Sequence, residues 1–187
     1  IKQKSSQHDL SLKHQEWLIK NFNNVEAHTL NLDKLFETFE GTLSNFGSKH
    51  GMANSRARIR MTTLYQVAAT NKGIVIGTGN KVEDFGVGFY TKYGDGGVDI
   101  SPIADCNKSE VWEIGKSLNI LQEIIEAAPT DGLWDDGRTD EGQLGLNYAE
   151  LEEAMNNVNS INREKYEKIR KMNLHKMEPI PVCKIPN

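Results

Sequence analysis

Hydrophobic positions recur at helical spacing in several stretches of the chain and collapse into short unbroken runs in others. Leu10, His14, Trp17 and Leu18 keep the helical interval and predict an amphipathic helix over residues 9–22. A short apolar stretch at 25–30 reads as a strand, and Leu32, Leu35, Phe36 and Phe39 share one face of a second helix. Over 54–69, Met61, Leu64, Tyr65 and Ala68 form another stripe, while Arg56, Arg58 and Arg60 crowd the first half of that helix. The run G-I-V-I-G at 73–77 has no polar alternation, which is the pattern of a parallel strand covered on both faces.

Residues 78–97 are glycine-rich and are expected to be mostly loop, with a short helix after Asn80. Asn107, with Glu110 three positions on, predicts a capped helix over 107–118. Further helical stretches fall at 121–127, 148–157 and 163–172. Between them, 129–145 mixes proline, glycine and acids and reads as a mobile surface loop. The tail E-P-I-P-V-C-K-I-P at 178–186 is extended, because its prolines cannot continue a helix. This order predicts an α/β fold, a parallel sheet flanked by helices.

Composition narrows the function classes. The 187 residues correspond to about one domain at roughly 150 residues per domain. Lys and Arg number 22 against 26 Asp and Glu, a net charge of -4, so broad electrostatic binding of nucleic acid is not expected. Mean hydropathy is -0.56 and no apolar run approaches the roughly 20 residues of a membrane span. Cys106 and Cys183 are too few and too far apart for a disulfide framework or a zinc knuckle, which points to a reducing compartment.

Several motifs bear on chemistry. I-V-I-G-T-G-N-K at 74–81 begins like a dinucleotide fingerprint, but Val82 stands where the third glycine belongs. A strand ending in Gly-Thr-Gly still brings backbone close to a ligand, since ligands of open α/β sheets bind beyond the carboxyl ends of strands, where Thr78 and Glu83 would sit. No G-x-x-x-x-G-K-S/T phosphate loop occurs. F-Y-T-K-Y-G-D-G-G-V-D at 89–99 combines close-approach glycines with Lys92, Asp95 and Asp99, a set suited to a polar ligand or, more plainly, to a solvated turn. The arginines of 54–61 suit either a solvated helix face or capture of phosphate or carboxylate. The acidic stretch D-D-G-R-T-D-E at 135–141 is either solvated surface or a lid. His175 beside Lys176 reads as surface, and no serine–histidine or cysteine–histidine set suggests nucleophilic catalysis.

Taken together, G-T-G-N-K-x-E, T-K-Y-G-D-G-G-V-D-I-x-P-I, A-P-T-D-G-L-W, T-D-E-x-x-L-G, H-K-M and the helix A-N-S-R-A-R-I-R-M closely resemble the NAD synthetase family, from about residue 43 to 182. The resemblance implies an adenine-nucleotide α-hydrolase-like, three-layer α/β fold, a cytoplasmic homodimer, and consumption of ATP with Mg2+. It implies adenylation of the nicotinate carboxylate of deamido-NAD, release of pyrophosphate, and attack by ammonia, free or derived from glutamine, to give NAD and AMP. Carried over position by position, Glu83 is a Mg2+ ligand, and Thr78, Lys108 and Thr130 contact ATP. Arg58, Tyr65, Lys92, Asp99, His175 and Lys176 hold deamido-NAD, and Asp95 is the candidate for orienting ammonia. The spacing from Glu83 to Lys92 is one residue longer than the commonest bacterial pattern. The family's S-G-G-x-D-S segment is not found, so residues 1–187 read as the synthetase domain without its N-terminal strand and phosphate loop. Two other classes stay open: a pyrophosphate-releasing synthetase acting on a different carboxylate, and a non-catalytic nucleotide-binding scaffold.

Overall fold

Tyr148, Leu151 and Ala154 repeat at helical intervals and are almost completely buried, and the core assembles around them. The computed structural model describes Ile1, residues 5–134 and residues 136–185. Asp135 of the acidic loop and Pro186 of the tail lie outside the described residues. In chain order the helices are α1 (Ser5–Asn21), α2 (Asp33–Thr42), α3 (Lys49–Thr70), α4 (Lys108–Ser117), α5 (Gln122–Ile125), α6 (Asp140–Leu144), α7 (Tyr148–Asn156) and α8 (Arg163–Met177). A 3-10 turn at Ser44–Phe46 precedes α3, and a π-helix spans Lys81–Val87.

The main core joins Val82 and Val87 of the π-helix to Leu144, Leu146, Tyr148, Leu151, Ala154 and Tyr166, with Trp112, Phe89, Met155 and Ile169 packed against it. The π-helix therefore lies against α7 and α8, and α4 packs on α7. A separate contact joins α2 to α3, where Phe36 is buried under the Arg56 guanidinium and Ala53 and Ala57 of α3 are buried as well. No helix among the described residues is long and apolar enough to cross a membrane.

Three expectations change. First, among the described residues parallel pairing is limited to one bridge, Ile76 with Ile100, and residues 25–30 form no strand. Ile74 and Ile76, which share one face, remain 58% and 59% exposed while Val75 on the other face is buried, so one of the two faces that a buried parallel strand would cover is open here. Second, α3 begins at Lys49, capped by the Ser48 side chain, so its arginines lie beyond the N-terminal turn and not at the helix start. Arg56 is turned inward, donating to Leu133 O from Nη2 and lying over the Phe36 ring, while Arg58 faces solvent. Third, α8 continues five residues past 172, which carries His175 and Lys176 into its last turn.

Candidate active site

Asn80 organises the first part of the site. Its Oδ1 accepts from Val82 N at 3.0 Å and Glu83 N at 3.1 Å, starting the π-helix, and its Nδ2 donates to Glu83 Oε2 at 2.6 Å. Glu83 Oε1 accepts from Lys108 Nζ at 2.9 Å and from Tyr148 Oη. Three elements thus aim one carboxylate. Lys108 is the first residue of α4, whose start Glu110 secures by accepting from Asn107 N at 2.7 Å. Tyr148 opens α7, where Asn147 Oδ1 accepts from Glu150 N and Glu150 Oε2 accepts from Asn147 N, both at 2.8 Å. The Lys108 ammonium lies 4.9 Å from the centre of the Tyr148 ring, and Trp112 meets that ring edge-on. Burial, reinforced by Glu83, drives the Tyr148 phenol far above its ordinary range, so it stays a hydrogen-bond donor.

A 340 Å³ cavity opens beside this group and is lined by Thr78, Lys108, Thr130 and several carboxylates. Gly79 leaves room there for the Asp84 carboxylate: a Cβ at that position would fall 1.8 Å from Asp84 Oδ2 and displace that side chain. Burial first, then the charges of Glu83 and Asp95, raise the Asp84 carboxyl to about 7. Asp140 is raised to about 6 by burial and by Glu83, and its Oδ2 accepts from Tyr148 Oη at 3.3 Å.

A second cavity, of 440 Å³, lies between α3, the loop after the π-helix and the end of α8. Lys176 Nζ donates to Gly88 O at 2.8 Å and Tyr90 O at 2.7 Å, Tyr90 Oη donates back to Lys176 O, and Lys92 Nζ donates to His175 O. Arg58 Nε donates to Lys92 O at 3.2 Å, and Thr91 is fixed through Oγ1 to Asn54 Oδ1 at 2.7 Å. Burial lowers the Lys176 ammonium and raises the Asp95 carboxyl from their ordinary values. Asp95 is open to solvent on its cavity side although protein surrounds it elsewhere, and its Oδ1 accepts from Thr91 N at 3.0 Å. A third cavity, of 310 Å³, runs under α3 past Arg60, Met61 and Thr78. Asp95 and Asp131 border all three cavities.

Of the residues singled out in the sequence, Thr78, Glu83, Lys108 and Thr130 line the acidic cavity, and Arg58, Lys92, His175 and Lys176 line the second. Asp95 lies at their junction. Tyr65 and Asp99 line none of the three. Tyr65 Oη donates to Asp99 Oδ1 at 3.2 Å, Asp99 Oδ2 accepts from Val75 N at 2.7 Å and Asp99 N donates to Val75 O at 2.9 Å, so Asp99 meets residue 75 through both its side chain and its backbone. Sequence reading did not single out Asp84, Asp131, Asp140 or Tyr148. Asp131 and Asp140 stand within A-P-T-D-G-L-W and T-D-E-x-x-L-G, so the motifs held a signal; the reach of Tyr148 to Glu83, 65 residues away, left none.

Comparison with known proteins sets this arrangement in context. A family model described as NAD synthase matches residues 2–185. The NH(3)-dependent NAD(+) synthetase of Carboxydothermus hydrogenoformans is 41% identical over 139 residues, covering 72% of this chain and 56% of that protein. Its counterpart in Archaeoglobus fulgidus is 42% identical over 145 residues, covering 74% and 58%. The chain thus spans little more than half the length of these curated relatives. Among solved structures, NMN synthetase from Francisella tularensis is 32% identical with a TM-score of 0.86, covering 99% of this chain and 74% of that one. The NH3-dependent NAD synthetase of Campylobacter jejuni, 23% identical with a TM-score of 0.72 over 98% and 74%, shares the fold. The cavities around Glu83 and Lys176 are therefore built on a scaffold shared with pyridine-nucleotide synthetases, and since the match runs through nearly every residue, the chain belongs to the NAD synthase family.

Proposed function

We propose that this protein amidates a nicotinate carboxylate on a pyridine nucleotide at the expense of ATP, with deamido-NAD as substrate and NAD as product. The carboxylate oxygen attacks the α-phosphorus of ATP and pyrophosphate leaves; ammonia then attacks the acyl carbon, loses a proton and expels AMP. The observation that carries this reading is the junction at Asp95 and Asp131. It joins a cavity of carboxylates and Lys108, suited to a metal–phosphate group, to a cavity with Arg58, Lys92 and Lys176, suited to an anionic nucleotide.

The catalysis required is mainly positioning and neutralisation of charge. Thr78, Lys108 and Thr130 are assigned to ATP, and Arg58, Lys92, His175 and Lys176 to the pyridine nucleotide. Tyr65 and Asp99 support that second site from behind the strand segment at 75. Asp95, held by Thr91 N and standing where the cavities meet, is assigned to orienting ammonia. The oxygen donors around Glu83 fit Mg2+, a hard cation. Glu83 would hold it, and when bound it neutralises phosphate charge. Free ammonia is the nitrogen donor, in keeping with the names of the relatives. We place the reaction in the cytoplasm, in a homodimer, with residues 1–187 as one synthetase domain built on a parallel sheet of which the Ile76–Ile100 bridge is a part.

A second reading has its own support: the likeness at TM-score 0.86 is to an NMN synthetase, so the mononucleotide form of the same carboxylate is the alternative substrate. The test is to supply the protein with ATP, Mg2+, ammonium and either deamido-NAD or nicotinate mononucleotide, and to follow AMP and the amidated product. A higher kcat/KM on deamido-NAD supports the first reading, and on the mononucleotide the second. AMP production from neither overturns both.

A further inference from the structure

Tyr93 stands in a backbone conformation that its own side chain makes costly. Its φ is +61°, in the left-handed region where a bulky residue is uncommon. The turn around it requires that conformation. Gly94 N donates to Thr91 O at 2.9 Å and Lys92 keeps a negative φ, so residues 91–94 follow a type II turn, whose third position ordinarily takes glycine or asparagine. Glycines stand at 94, 96 and 97, yet position 93 carries a tyrosine. Burial does not offset the strain, because Tyr93 is 54% exposed.

The strain secures contacts on both sides of it. The turn is anchored to α3, where Thr91 Oγ1 donates to Asn54 Oδ1 at 2.7 Å and a Cβ at Gly94 would stand 2.8 Å from Ala57 Cβ. Left-handed backbone at 93 sets the orientation of the peptide between 92 and 93, and Lys92 O accepts from Arg58 Nε at 3.2 Å. With residue 93 in the right-handed region that peptide would turn over, as in a type I turn, and its carbonyl would leave Arg58. The Tyr93 ring centre lies 5.6 Å from Lys92 Nζ, while that ammonium donates to His175 O. An ammonium over an aromatic face is attracted by it, which narrows the freedom of an otherwise mobile lysine chain.

We propose that Tyr93 is a positioning residue for the pyridine nucleotide. Its left-handed backbone ties down Arg58 through the Lys92 carbonyl, and its ring holds the Lys92 ammonium, so both cations of the second cavity are set before substrate arrives. Tyr93 does not line that cavity and acts through Lys92 and Arg58. The proposal rests on the reading of this cavity as the pyridine-nucleotide site.

Tyr93→Gly separates the ring from the backbone, because glycine keeps the left-handed turn without strain. In that variant KM for the pyridine substrate should rise about two- to fivefold, the loss of one exposed cation–π contact. Its kcat should fall by less, and its urea midpoint should not fall. Tyr93→Phe keeps the ring and should restore KM. The contact is also scored without substrate, through an upfield ring-current shift of the Lys92 ε-methylene protons. That shift should be present in the unaltered protein and in Tyr93→Phe, and absent in Tyr93→Gly. Wild-type KM in Tyr93→Gly, a KM that rises only with a lowered midpoint, or failure of Tyr93→Phe to restore it would overturn the proposal. Turnover is scored separately. The upfield shift in a protein that amidates neither deamido-NAD nor the mononucleotide leaves the hold on Lys92 standing and removes the ligase reading. Turnover in a protein without that shift does the reverse.

Discussion

Glu83 and Asp84 are adjacent in sequence yet meet opposite surroundings. Glu83 accepts from Asn80, Lys108 and Tyr148, whereas Asp84 is pressed over Gly79 with its carboxyl raised to about 7. Glu83→Gln should lower turnover about 10²-fold, near 3 kcal/mol of transition-state stabilisation. Wild-type turnover of that variant at saturating Mg2+ would remove Glu83 from the metal site. The folded-state value of Asp84 lies above its unfolded value of about 4. Between about pH 4 and 7 the folded state therefore binds more protons than the unfolded one, and stability falls as pH rises through that window, by an upper limit on the order of 4 kcal/mol. Asp84→Asn should flatten this slope. Urea unfolding at pH 5 and pH 8 in metal-free buffer measures it, and an unchanged slope refutes the assignment. At this scale the sequence was most informative where residue type and motif coincide, as at Glu83, Lys108 and Lys176. Asp140 stood within T-D-E-x-x-L-G, although its burial was not written there, whereas Tyr148 was hidden because its contact with Glu83 is decided by the packing of α7 on the π-helix and by no local pattern.

At the scale of elements, helices with strong ends were legible. The Asn107–Glu110 spacing marked α4, and the apolar stripe of α3 marked its body. The short helix expected after Asn80 is present at Lys81–Val87, but its π form was not legible, since K-V-E-D-F-G-V keeps neither a helical nor a strand period, and the Asn80 cap and the burial of Val82 and Val87 define it. Of the expected parallel sheet the described residues show one bridge: G-I-V-I-G is apolar enough for a buried strand, but a strand needs neighbours, and Ile76 is paired at one point. The π-helix ends at Gly88, which has φ +66° and would bring a Cβ to 2.7 Å from Asn173 Cβ of α8. Gly88→Ala should cost about 2 kcal/mol in urea unfolding and raise KM for the pyridine substrate, because Lys176 donates to the carbonyl of residue 88. An unchanged midpoint and KM would show that this turn has slack. The 129–139 loop is tied down by Arg56 at Leu133 O and by Asp140 N donating to Pro129 O at 3.0 Å. Amide exchange at residues 131–134 should slow further when ATP and deamido-NAD are both added, as expected of a lid. Unchanged protection would leave the loop as a fixed wall.

For the whole molecule, the proposed dimer raises the question of whether a site is shared. Arg58, on the solvent side of α3, lines a cavity that its own chain closes with Lys92, His175 and Lys176. Mixing an Arg58→Ala chain with a Glu83→Gln chain should therefore give no recovery of activity in mixed dimers, whereas partial recovery would mean that each Arg58 serves the neighbouring subunit. The way the two cavities draw on the chain also bears on how the protein is made. Every residue lining the acidic cavity lies between 78 and 140, while the second cavity takes in residues 173 to 176, whose Lys176 fastens the carbonyls of Gly88 and Tyr90. Because the π-helix that carries Glu83 packs on α7 and α8, and Tyr148 of α7 holds its carboxylate, a chain emerging from the ribosome has the walls of neither cavity in place until α8 has been synthesised, so the two arise together and late.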